Sequence, residues 1–182
     1  MPDVEAARAF LRDSDLVVEA AAVDAAIARL GAEITEACAN EYPLLLTVMG
    51  GAVMFAGRLL PLLRFPLDID YLHATRYRGQ TSGSGLAWLH RPATPMRGRR
   101  VLLADDILDE GHTLLAVKRW CEDQGAQDVR VAVLAVKRHD RRVEGIDADY
   151  VGLEVPDRYV FGYGMDYREQ GRNLPAIYAL AD

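Results

Sequence analysis

The chain has 182 residues, 51% of them apolar, which is enough for one domain with a substantial buried core and too few for two ordinary ones. Lys and Arg number 21 against 27 Asp and Glu, and the net charge of -6 lacks the broad basic surface that a nucleic-acid partner would require. The two cysteines, Cys38 and Cys121, are too far apart for a disulfide framework or a zinc motif, and no basic leader or run approaching ~18 apolar residues is present, so a cytoplasmic chain with reduced thiols and no membrane partner is expected.

Residues 17–40 are Ala-rich with Val23, Ile27, Leu30 and Ile34 at helical spacing, and Ser14 or Asp15 stands where a cap is wanted, which predicts a long amphipathic helix. Residues 44–48 form a short apolar run that ends at Met49, Gly50 and Gly51, and residues 52–63 return to helical spacing before Pro66, a strand, glycine turn and helix. Residues 67–74 alternate like a strand, residues 75–85 (TRYRGQTSGSG) predict a mobile loop, and residues 86–90 a returning strand. The apolar run 101–104 predicts a strand buried on both faces, residues 113–124 a helix stopped by Gly125, and residues 129–137 a second buried strand. After Arg138 the helical signal is lost, and short strands near 150–154, 160–162 and 177–180, punctuated by Pro156, Gly162, Gly164 and Gly171, predict a small hood. Strands alternating with helices through the middle predict an α/β fold, a mainly parallel sheet flanked by helices, with ligands bound beyond the carboxyl ends of the strands.

The chemistry is concentrated in residues 101–113, VLLADDILDEGHT. A buried strand delivers Asp105, Asp106, Asp109 and Glu110 to a loop that ends at Gly111 and a helix start. Mutual repulsion disfavours such clustering unless a cation, sugar hydroxyls or solvent compensates. The helix N-terminus adds backbone N–H groups suited to a phosphate. Carboxylates for metal and ribose together with amides for phosphate imply a phosphorylated sugar. The competing readings are weaker: a solvated acidic turn does not need the buried strand before it, a DDxxD prenyl-diphosphate site belongs on a helix in a longer all-helical chain, and neither G-x-G-x-x-G nor G-x-x-x-x-G-K-[ST] occurs.

At these residues the sequence resembles the phosphoribosyltransferases, whose phosphoribosyl-pyrophosphate motif is an apolar strand, two acids, two apolar residues, Asp, a small residue, Gly, any residue and Thr. The resemblance implies that Asp105 and Asp106 hold the ribose hydroxyls directly or through magnesium waters. It also implies that amides of Asp109, Glu110, Gly111, His112 and Thr113, with the Thr113 hydroxyl, cradle the 5-phosphate. Glu110 departs from the pattern, where Thr or Ser is common, and only its backbone is assigned a role because an acid repels phosphate. Asp109 corresponds to the family's general base for the proton on purine N7.

The resemblance to the hypoxanthine-guanine branch runs through most of the chain after residue 44. Lys137 corresponds to the lysine that donates to the purine 6-oxo group; from position alone, a lysine snorkelling from a strand end reads equally well. Tyr159 would stack on the purine and Val160 would pair with its edge. Asp166 would meet magnesium beside the base and Arg172 the pyrophosphate. Met49, Gly50 and Gly51 resemble the pyrophosphate loop, although a plain strand-helix turn looks the same and relatives often carry Lys or Arg at the Met49 position. Residues 75–85 resemble the flexible loop, with Arg76 where relatives have Ser before the tyrosine, here Tyr77.

The implied enzyme is a single domain over residues 1–182, with its core at about 40–140 and its hood mainly at 150–182. It would convert hypoxanthine or guanine and phosphoribosyl pyrophosphate to IMP or GMP and pyrophosphate in purine salvage. Mg2+ would be the cofactor, with Asp105, Asp106 and Asp166 as candidate ligands, though manganese suits the same oxygens. The enzyme would be a homo-oligomer, dimer or tetramer. Two rivals stand beside this reading: a non-catalytic regulator that senses phosphoribosyl pyrophosphate, and a transferase for xanthine or another base.

Overall fold

The computed structural model describes residue 5, residues 10–76 and residues 86–181. Its largest feature is a six-stranded sheet made from β2 (Leu44–Val48), β3 (Asp68–Arg76), β4 (Leu86–His90), β5 (Arg100–Leu108), β6 (Asp128–Lys137) and β7 (Tyr150–Val155). The strand order is β4-β3-β2-β5-β6-β7, all neighbours parallel except the β3–β4 hairpin. Apolar side chains on both faces of β2, β5 and β6 account for their central positions, since each face must be covered.

Helix α1 (Ala20–Cys38) and the short α2 (Val53–Leu59) cover one face. There Val23, Ile27, Leu30 and Ile34 of α1 join Phe55, Leu59, Leu45, Leu102 and Leu134 in one core. Helix α3 (His112–Asp123) covers the other, with Leu114, Val117 and Cys121 against Leu44, Leu46, Leu103 and Val131. Cys38 and Cys121 are buried free thiols, and burial pushes Cys121 up to about 12. Among the described residues, no helix is long and apolar enough to cross a membrane.

A second, antiparallel sheet forms the hood, β1 (Ser14–Val18), β9 (Ile177–Leu180) and β8 (Val160–Phe161) in that order. Two expectations change here. Residues 17 and 18 belong to β1 rather than to the long helix, because β1 pairs with β9. Helix α1 therefore starts after Glu19 without a side-chain cap, Ser14 donates to the Phe10 carbonyl, and Asp15 accepts from Arg158. The strand at 150–154 is also not part of the hood: β7 pairs parallel with β6 at the edge of the main sheet.

The chain direction of strand addition reverses between β2 and β5. From β2 it proceeds outward to β3 and β4, and from β5 outward to β6 and β7. A crevice opens at such a switch point, beyond the carboxyl ends of the two central strands.

Candidate active site

The acidic cluster lies at that crevice. β5 continues four residues past the sequence estimate, to Leu108, so Asp105 and Asp106 are strand residues rather than loop residues, with Asp105 opposite Val133 of β6 and Leu108 opposite Val136. Their backbones turn inward on themselves: Asp106 N–H donates to Asp105 Oδ1 at 2.9 Å, and Ile107 N–H donates to Asp106 Oδ1 at 2.8 Å. Burial pushes the Asp105 carboxyl well above the usual carboxylate range, and the neighbouring Asp106 charge pushes the same way. Burial raises Asp106 as well, opposed by its bonds with Asp105 and the Ile107 amide and by the Arg172 charge. Two adjacent carboxylates in this state call for hydroxyl donors or a cation.

The turn after β2 touches them. A Cβ on Gly51 would collide with the Asp106 carboxylate, so only glycine permits this approach. Met49 N–H is anchored on the Leu72 carbonyl at 2.8 Å, and the Met49–Gly50 peptide is cis. Gly51 is thus brought beside the acids of β5.

Beyond Asp106 the chain leaves β5 and enters α3 through Gly111, whose φ of +83 belongs to the left-handed region; a Cβ there would also sit 2.6 Å from Ile146 Cγ2. No side chain caps α3. The N–H groups of its first turn have no acceptor inside the helix, and that turn helps to line a cavity of about 340 Å³ with Asp105, Asp109, Glu110, Gly111, His112 and Thr113 among others. The Glu110 side chain is 52% exposed, with Oε2 3.5 Å from His112 Nε2.

A second cavity of about 200 Å³ adjoins the first at Ile107 and Asp109 and is lined by Asp106, Lys137, Tyr159, Val160, Met165 and Asp166. Lys137 ends β6, is only 13% exposed, and its Nζ donates to Asp109 Oδ2 at 2.6 Å. It therefore points into the site instead of snorkelling to solvent. His139 occupies the other oxygen, its Nε2 2.6 Å from Asp109 Oδ1. Burial alone would raise Asp109, but the bonds from Lys137 and His139 and the Lys137 charge outweigh it and hold the carboxyl below its usual range. It is ionised at neutral pH.

The hood supplies the rest. Tyr159 is 53% exposed, its ring braced edge-on by Tyr167 at 5.5 Å, which leaves a face open to a flat ligand. Val160 is buried in β8. Arg172 NH2 donates to Asp166 Oδ1 at 2.7 Å and NH1 to the Gly164 carbonyl at 2.8 Å, while Asp166 Oδ2 accepts the Glu169 N–H. Asp166 thus holds Arg172 beside the acids. Of the loop residues, Arg76 closes β3 and Tyr77 lies outside the described residues.

Among the described residues, no three His, Cys, Asp or Glu side chains converge as a ready metal cage. Asp105, Asp106 and Asp166 are therefore not gathered into one ligand set; the adjacent, half-buried carboxylates of Asp105 and Asp106 would be suitable hard donors for magnesium. The residue missed by sequence reasoning is His139. It sits in the polar run KRHDRR, where nothing periodic marks it, and only its nearness to Lys137 could have drawn notice.

Comparison with known proteins bears on this geometry. The model of the phosphoribosyl transferase domain matches residues 15–169. The hypoxanthine-guanine phosphoribosyltransferase of Streptococcus pneumoniae is 34% identical over 155 residues, 85% of this chain and 86% of the relative. That of Bacillus subtilis is 35% identical over 152 residues, 83% and 84% of the two chains. The crystal structure of a hypoxanthine phosphoribosyltransferase from Staphylococcus aureus superposes with a TM-score of 0.88 at 27% identity, covering 95% of both chains. With the domain matched along most of its length and a third of its residues shared with these enzymes, the chain belongs to the phosphoribosyltransferase family.

Proposed function

We propose that this protein transfers ribose 5-phosphate from phosphoribosyl pyrophosphate to N9 of hypoxanthine or guanine, releasing IMP or GMP and pyrophosphate. The observation that carries the reading is the meeting at Asp109 of two cavities, one lined by Asp105 and the start of α3, the other by Asp106, Lys137 and the half-exposed Tyr159 ring.

In this reading the 5-phosphate rests on the first turn of α3, and the ribose hydroxyls donate to Asp105 and Asp106. Burial makes these two carboxylates good acceptors, since hydroxyl donors relieve their desolvation. The pyrophosphate lies between the Gly50–Gly51 amides and Arg172. Bound there on Asp105 and Asp106, Mg2+ would supply positive charge to the departing pyrophosphate. Asp166 keeps oxygen lone pairs beyond its bonds to Arg172 and Glu169, so it can face the same charge through water.

The base stacks on Tyr159 with its 6-oxo group accepting from Lys137, whose three donors suffice for both the purine and Asp109. The bond from C1 to pyrophosphate breaks as the C1–N9 bond forms. A purine ribosylated at N9 that still carries its N7 proton is cationic and much more acidic than a neutral imidazole, so an acceptor with a lowered pKa is adequate. Asp109 takes that proton. The reading carries with it a cytoplasmic homo-oligomer.

A second base is favoured by one observation: a hypoxanthine-guanine-xanthine phosphoribosyltransferase superposes with a TM-score of 0.82 at 29% identity. The test is a panel assay with phosphoribosyl pyrophosphate, Mg2+ and hypoxanthine, guanine, xanthine, adenine or uracil. Turnover of hypoxanthine or guanine with little of adenine or uracil is expected. Binding of phosphoribosyl pyrophosphate without transfer to any base would favour the regulator, preference for adenine would refute the role of Lys137, and preference for uracil would refute a purine substrate.

A further inference from the structure

We propose that His139 is a positioning residue for Asp109, holding the proton acceptor in place from behind the purine cavity; the proposal rests on the assignment of Asp109 as that acceptor. The His139 side chain is 2% exposed and does not line the purine cavity, but a separate one of about 380 Å³ behind it. Its ring meets the site through Asp109.

The ring's hydrogen bonds fix its tautomer. The backbone N–H of Arg141 donates to Nδ1 at 3.1 Å, so Nδ1 is bare and the proton is on Nε2, which donates to Asp109 Oδ1 at 2.6 Å. Lys137 binds the other oxygen, yet its ammonium ends a flexible stem and must share its donors with the purine. A buried ring tethered at both nitrogens fixes the carboxylate plane in a way that Lys137 alone does not. The groups around Asp109 are the charged Lys137 at the end of β6, the neutral His139 ring and the charged Arg141 in the loop that follows, and Glu110 beside it in the chain.

The same loop ties this clamp to the hood. Arg141, whose amide holds His139, also grips Asp157 with both guanidinium nitrogens at 2.7 Å, two residues before Tyr159. The acceptor and the stacking ring are therefore set by one stretch of chain, and their relative position follows from residues 139–141.

The test is a double-mutant cycle with His139→Ala and Asp109→Asn, a His139→Gln variant, and 15N NMR of the His139 ring. His139→Ala should lower kcat about tenfold with the KM for phosphoribosyl pyrophosphate changed by less than about twofold, the signature of an interaction made in the transition state. Glutamine, whose amide nitrogen lies as many bonds from Cα as Nε2 does, should restore most of the loss. In the Asp109→Asn background, His139→Ala should change kcat by less than about twofold, since its effect runs through that carboxylate. Full activity of His139→Ala, or an undiminished loss on top of Asp109→Asn, would overturn the proposal. A wild-type protein without transferase activity would instead sink the functional reading, and the spectrum then decides the clamp. A proton on Nε2 whose signal moves in Asp109→Asn supports it, and a proton on Nδ1 overturns it.

Discussion

Asp105 and Asp109 lie four residues apart, yet their surroundings push them in opposite directions. Burial and the Asp106 charge raise Asp105, so between its unfolded and folded pKa values the folded chain holds the extra proton and stability falls as pH rises through that window. Wherever Asp105 is ionised, its charge destabilises the ligand-free protein. Asp109, lowered on balance by Lys137 and His139, contributes stability that is present above its unfolded pKa and lost as pH falls through the depressed folded value. Asp105→Asn keeps an oxygen for the Asp106 amide and removes the charge. It should raise the Tm of the ligand-free protein by roughly 2–4 °C, the shift that about 1 kcal/mol produces in a chain of this size, while weakening phosphoribosyl pyrophosphate binding. Calorimetry on the ligand-free variant checks this, and a lower Tm would mean that Asp105 is stabilised by partners rather than strained by burial.

Among the elements, the turn after β2 is where a single atom matters most. Gly51→Ala would drive a methyl group into the Asp106 carboxylate. Either the turn or the acid must shift, and a displacement near 1 Å at the pyrophosphate contact should raise the KM for phosphoribosyl pyrophosphate on the order of 10- to 100-fold. Steady-state kinetics with a circular dichroism control measure it; an unchanged KM would show that this turn stands away from the diphosphate. The elements also show where sequence pattern suffices. Apolar runs ending in Gly50–Gly51 and in Asp105–Asp106 mark β2 and β5 because carboxylates and glycines at the ends of buried strands have few structural uses. The end of β5 was not legible, because its pairing with β6 carries the strand on to Leu108 through polar residues that break the pattern. Nor was β1 legible: Val17 and Val18 open an apparent helix until β9, from the far end of the chain, claims them. His139 was hidden for a related reason, since a loop histidine acquires its partner only when β5 and β6 lie side by side.

At the scale of the whole molecule, the order β4-β3-β2-β5-β6-β7 explains why residues from five segments meet. The connections that leave β2 and β5 run in opposite directions at the switch point, Gly51 comes up against Asp106 there, α3 starts at its edge, and the hood brings Tyr159 and Arg172 to it. The sheet itself is held by apolar burial on both faces, with side chains such as Leu45, Leu46, Leu102 and Leu103 almost wholly covered. Each contributes about 1.5–3 kcal/mol, so the half-buried acids at its end can be strained without unfolding the domain. The most direct measurement is a crystal structure with phosphoribosyl pyrophosphate, Mg2+ and an unreactive 6-oxopurine analogue. It should show the ribose hydroxyls on Asp105 and Asp106, the 5-phosphate on the amides of residues 111–113, and the 6-oxo group within hydrogen-bond distance of Lys137. A sugar bound elsewhere, with Asp105 and Asp106 facing only solvent, would contradict the account.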